Sequence, residues 1–136
     1  MFENKLVAIL NKDIEPGVAM NALAHMTIGL GAQLNSQLLQ LNAYHDKEGN
    51  SYPNISQMPF IILRGKSGEI RKALQQTREL NIPFGCFINT MTGGTYQEQL
   101  DNTRATPEEH LVYYGAVLFG PWETVSQITK KFSLYK

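Results

Sequence analysis

The sequence has too little cysteine to staple itself. Cys86 is the only one, so no internal disulfide can form, and a reducing compartment is the expected setting. Charge of one sign is also missing. Twelve Lys and Arg stand against twelve Asp and Glu, a formal net charge of zero over 136 residues, so nothing draws the whole chain to nucleic acid, and such binding is not expected. Long apolar runs are absent. The longest, Leu6 to Leu10, is far shorter than the ~20 residues a membrane helix needs, so no membrane partner is expected. No charged, then apolar, then small-residue leader opens the chain, which argues against secretion and for a soluble, cytoplasmic protein. Metal-ligand spacing is lacking too: His25, His45 and His110 are scattered and no C-x-x-C occurs, so neither a metal nor another cofactor is expected. Neither an internal repeat nor a low-complexity tract interrupts residues 1–136. That length suits one domain able to bury roughly two-thirds of the surface its unfolded chain exposes.

What is present alternates between strand and helix patterns. Lys5 to Leu10 is a branched apolar run of the kind buried on both faces of a sheet. "NKDIEPG" breaks it, and Val18 to about Leu34 is so rich in Ala, Leu, Met, Ile and Gly that it reads as an enclosed helix, with Pro16 acceptable in its first turn. Gly29 and Gly31 cost that helix roughly 1 kcal/mol each against Ala, which points to close packing or to the helix end. Gln33 to Tyr44 fits helical and alternating periods alike and is left open. "HDKEGNSYPN" is turn chemistry, a surface loop or hairpin. "FIIL" at Phe60 to Leu63 is the second strong strand. A helix follows with Ile70, Ala73, Leu74 and Thr77 on its apolar stripe. Ile82 to Asn89 is a third strand, running into "TMTGGT". A long polar connection from Tyr96 to His110 then holds one short helix through Gln97 to Asn102, and connections of that length often carry function. Leu111 to Phe119 is the fourth strand, and Trp122, Val125, Ile128, Thr129 and Phe132 pattern a last helix. The alternation predicts an α/β fold, a three-layer α/β/α sandwich around a mixed four-stranded sheet.

Several residues carry candidate chemistry. Asn21 and His25 stand one turn apart on one helical face, directly after a strand, where α/β proteins often build sites. His25 is the candidate catalytic group, a general base or ligand-orienting side chain; the competing reading is a core histidine hydrogen-bonded to backbone. Asn11 and Asp13 lie at the strand exit, Asn11 as a ligand-binding candidate and Asp13 as a turn former. In "NTMTGGT", Gly93 and Gly94 would let backbone N–H groups approach an anion, with Thr90, Thr92 and Thr95 as hydroxyl donors. The segment lacks the spacing and Lys of a P-loop, and a flexible loop would use the same glycines. Cys86 lies mid-strand between Gly85 and Phe87 and reads as an inert, buried thiol. Tyr113 and Tyr114 face opposite sides of their strand, and Trp122 is assigned to the core.

"NKDIEPGVAMNALAH", "EGNSYPNI" and "YYGAVLFGP" resemble a bacterial domain-of-unknown-function family, number two thousand in its series (DUF2000). The opening strand, Asp13, the Gly17 turn, the helix to His25 and the closing "GAVLFGPWETVSQITKKFSLYK" resemble the type II peptidyl-tRNA hydrolases. This resemblance spans nearly the whole chain and implies the hydrolase fold and a homodimer. It does not bring the hydrolase site with it. Those enzymes begin the first helix with G-K-x-A-A-Q followed three residues later by His; here Gly17 and His25 match, but Val18 stands for the Lys and Ala22 for the Gln. Their Asp-Ala-Gly after the third strand corresponds to Asn89, Thr90 and Met91, and the Thr opening their final strand to Gly115. Ester cleavage needs an activated water and an electropositive group at the developing oxyanion, and Val18 supplies neither. Three readings follow: a domain binding a small-molecule ligand, anion or partner in a cleft lined by Asn11, Asn21, His25 and the Thr- and Gly-rich loop; a divergent hydrolase acting on peptidyl-tRNA or a related ester through His25 and that loop; or a structural dimerisation module without a site.

Overall fold

A computed structural model describes residues 2–136. Its centre is the first apolar run. Strand β1, Asn4–Asn11, has its last six residues buried because it is flanked on both edges, by β4 (Phe60–Gly65) in parallel and by β6 (Tyr113–Pro121) in antiparallel register. β6 pairs on its far side with β5 (Phe84–Ile88). Side chains alternate across this layer. Val7 and Ile9 join Ile70, Leu74, Val125 and Ile128 in one core, under helices α2 (Ser67–Glu79) and α4 (Trp122–Ile128). Leu6, Ala8 and Leu10 join Ala19, Ala22, Met26 and Leu30 in the other, under α1 (Pro16–Gln33). Helices thus cover both faces.

The sheet has five strands rather than the four expected, in the order β5-β6-β1-β4 followed by a strand at Ser133–Leu134, β7. The addition is this short β7, in the tail assigned to the last helix and its end. α4 stops at Ile128, and the chain doubles back because Gly65 leaves room for the Phe132 ring, which a Cβ there would overlap. That contact lays Leu134 beside Leu63. The segment left open from Gln33 ends α1, turns, and enters a separate hairpin, β2 (Leu41–His45) with β3 (Ser51–Ser56). Its turn is organised by the Asp46 carboxylate, which accepts from the Glu48 and Asn50 amides, the Asn50 side chain and the Tyr52 hydroxyl. Hydrogen bonds from Tyr52 and then Asn50 hold this carboxyl down at about 2.

α1 also departs from expectation. It is not enclosed: Ala19, Ala22, Met26 and Leu30 form one buried stripe, while Met20 and Ile28 on the outer face are 64% and 72% exposed. Sheet contact is available to one face only, and the apolar composition of the other does not create a second neighbour. Its glycines are not tightly packed either, since a Cβ on Gly29 or Gly31 would meet nothing within 4 Å. Close approach is instead made by glycines of the sheet. A Cβ on Gly115 would stand 2.8 Å from the Met26 methyl and 2.9 Å from the Ile9 carbonyl oxygen, and one on Gly85 3.2 Å from the Met26 carbonyl oxygen. These two bare positions let α1 settle onto β5 and β6. Tyr113 is buried against the α2 side and Tyr114 half-buried against the α1 side, opposite faces as expected, and Trp122 is half-buried with Lys5 Nζ 5.0 Å from its ring centre.

Candidate functional site: a cleft between the first helix, an edge strand and an outrigger helix

β5 is an edge strand. After it the chain makes a single 3-10 turn, Asn89–Met91, tied down by Asn89, whose amide donates to the Val112 carbonyl and whose Oδ1 accepts from the Val112 amide. Thr92 returns its hydroxyl to the Asn89 carbonyl at 2.6 Å. Gly93 and Gly94 follow at φ +72° and +65°, left-handed conformations that glycine takes without strain and that turn the chain into α3, Tyr96–Ala105. The start of α3 is capped by Thr95, which accepts from the Glu98 amide while the Glu98 carboxylate accepts from the Thr95 amide. α3 has no buried residue. It stands off the sheet as an outrigger, and a cleft of about 990 Å³ opens between it, α1 and β5.

One face of each element lines that space. From α1 come Asn21, His25, Met26 and Gly29; from β5, Gly85, Cys86 and Phe87; from the loop, Met91, Thr92 and Gly93; from α3, Tyr96, Gln99, Leu100, Thr103 and Arg104. The α3 set falls at i, i+3, i+4, i+7 and i+8, the stripe of a helix whose apolar side faces a partner. Here the partner side is the cleft, and Tyr96 is left 74% exposed. On the opposite wall the His25 and Phe87 rings lie 5.6 Å apart, and Phe87 stacks on Tyr114 at 6.2 Å. Among the described residues no carboxylate lines the cleft. Its fixed charge is Arg104, exposed and only loosely engaged with Asp101, 4.0 Å away. Burial pushes the Cys86 thiol up, against a smaller opposing effect of Arg78, so this cysteine is a neutral wall group rather than a ready nucleophile.

The expected site residues divide. Asn21, His25, Thr92 and Gly93 line the cleft together. His25 is exposed on the cleft side of α1 and is not a core histidine. The His25 ring packs against Phe87, which cannot orient it as a base. Asn11 does not line the cleft: it is buried at the end of β1, where Nδ2 donates to the Tyr113 carbonyl at 2.9 Å and Oδ1 accepts from the Asp13 amide at 2.8 Å. Thr90, Gly94 and Thr95 serve the loop itself. Thr90 shares a 2.6 Å hydrogen bond with Thr103, and Gly94 and Thr95 start α3. The hydroxyls expected to greet an anion are thereby largely occupied. Sequence reasoning missed Tyr96, Gln99, Leu100, Thr103 and Arg104, although their helical stripe was available once the helix is drawn from Tyr96 to Ala105 rather than from Gln97 to Asn102. Among the described residues no three His, Cys, Asp or Glu side chains converge as a metal would require, and no helix is long and apolar enough to cross a membrane.

A family model described as a protein of unknown function, DUF2000, matches residues 4–136. The solved structure of Atu0240, a protein of unknown function from Agrobacterium tumefaciens, superposes with a TM-score of 0.86 over 100% of both chains at 24% identity, a likeness of fold. No curated protein matches the sequence.

Proposed function

Since the chain belongs to the DUF2000 family, of unknown function, we propose a function from the site itself: the domain binds a small ligand or a partner segment in the cleft between α1, β5 and α3. One observation carries this reading. α3 turns its Tyr96–Leu100 face toward an open cleft and buries nothing, an arrangement that leaves apolar surface in water unless something fills the gap. The likeness to type II peptidyl-tRNA hydrolases belongs to the same reading: a related scaffold in which Val18 and Asn89 stand where the enzymes have Lys and Asp, and Asn89 is committed to the Val112 backbone. A cytoplasmic homodimer completes it, formed over the uncharged outer face of α1 at Met20, Ala24 and Ile28, which equilibrium sedimentation checks. The test of the binding reading is a thermal-shift screen of apolar fragments bearing a carboxylate or phosphate. Stabilisers of the native chain are expected, with the shift lost in Tyr96→Ser; a screen with no stabiliser, or one whose hits ignore that substitution, overturns it.

A second reading has its own support. His25 borders the same cleft as Thr92 and Gly93, so a divergent hydrolase acting on peptidyl-tRNA or a related ester would find its base and its loop together. Single-turnover cleavage of peptidyl-tRNA decides between the two: the binding reading predicts a rate no higher than buffer, and cleavage lost in His25→Ala would establish the enzyme instead.

A further inference from the structure

The cleft runs along a backbone edge as well as between side chains. Gly85, Cys86 and Phe87 are consecutive, their side chains alternate between the two faces of the sheet, and all three line the cleft; only the strand's unpaired edge can bring them there together. The register says which groups point outward. The Phe119 amide donates to the Pro83 carbonyl, so residues 83, 85 and 87 turn their hydrogen-bonding groups toward β6, and Phe84 and Cys86 turn theirs away from it. The same edge continues into a second hollow of about 550 Å³, lined by Ile82, Pro83 and Phe84 and by Arg78, whose guanidinium lies 5.4 Å from the Phe84 ring centre. α1 flanks both hollows, through Gln33 and the capping Leu34 at one and through His25 and Gly29 at the other.

Edge strands are usually blunted by a charge or an interior proline, yet "FGCFI" has neither. Among the described residues each hollow beside it holds one arginine, Arg78 or Arg104, and no carboxylate. Resting on the binding reading above and naming its ligand, we infer that β5 accepts an extended, acidic peptide segment of a partner protein as a sixth strand. The segment's backbone pairs with the Cys86 N–H and C=O, an apolar side chain enters the space under Tyr96 and Leu100, and Asp or Glu side chains meet Arg78 and Arg104. A second copy of this chain fits the edge less well. Antiparallel pairing of β5 with itself about Cys86 would bring Arg78 of one copy toward the Arg104 end of the other, like charge against like.

The test is selection from a phage-displayed library of random heptapeptides on the full chain, followed by synthesis of a capped binder and its N-methylated series. Acidic sequences should be enriched. N-methylation at alternate amides of the binder should abolish binding while the intervening positions tolerate it, and Arg78→Glu with Arg104→Glu should weaken binding about tenfold or more. N-methylation leaves the protein untouched, so the result does not depend on how a variant folds. Binders without acidic enrichment, a methyl series with no sensitive position, or a dimer that sedimentation shows to be lost in Cys86→Pro but kept in Ile28→Asp would each overturn the inference. If fragments stabilise the chain through Tyr96 while no peptide is selected, the acidic strand falls and the binding site stands; if neither binds, both fall.

Discussion

At the scale of single residues, Gly29 separates stability from function most cleanly. It sits inside a helix on the cleft wall, where a Cβ would meet no atom within 4 Å. Gly29→Ala should therefore stabilise the protein by about 1 kcal/mol, measured by urea denaturation, because alanine restricts the unfolded chain and suits a helix. The same methyl projects into the binding space and should weaken cleft ligands. A variant that gains stability and binds undiminished would show that this stretch of α1 is not a binding wall. Residue chemistry was partly legible beforehand. The one-turn spacing of Asn21 and His25 correctly placed both on one face. Asn11 was not legible, because an asparagine at a strand exit looks the same whether it greets a ligand or, as here, bonds the carbonyl of Tyr113 on a neighbouring strand.

At the scale of elements, the hairpin offers a pH test. Tyr52 and Asn50 hold the Asp46 carboxyl at about 2, below its ordinary 3.8. A depressed carboxyl adds stability that is fully present above its unfolded value and is lost as pH falls through its folded one, so the turn should loosen between about pH 4 and pH 2. The amide resonances of Glu48 and Asn50 should titrate with a midpoint near the lower end, and Tyr52→Phe should raise it. An unshifted midpoint in that variant would remove Tyr52 as the main cause. The turn was readable from "HDKEGN", whose Asp and Gly have known roles, and α2 from its apolar stripe. α1 was misread as enclosed because composition reports how apolar a helix is and not how many neighbours it has. β7 was invisible, as two residues carry no period of their own; a bare Gly65 and a Phe132 ring create it.

At the scale of the whole molecule, the fold keeps its two apolar cores and its candidate site apart. β1, β4 and β6 lie between two apolar cores, while the cleft forms where the sheet ends and α3 stands off it. The layered α/β plan was legible because each central strand is a continuous apolar run followed by helix or turn chemistry. The cleft was only half legible, since it depends on the distance between α3 and β5, which no local pattern encodes. The most direct measurement is a two-dimensional amide NMR titration of the full chain with a stabilising fragment from the thermal-shift screen. Shifts should gather on Gly85 to Phe87, Met91 to Gly93, the α3 stripe from Tyr96 to Arg104 and the Asn21–Gly29 wall. Shifts confined to the β2–β3 hairpin or to the outer face of α1 would contradict the cleft reading and move the binding site elsewhere on the molecule.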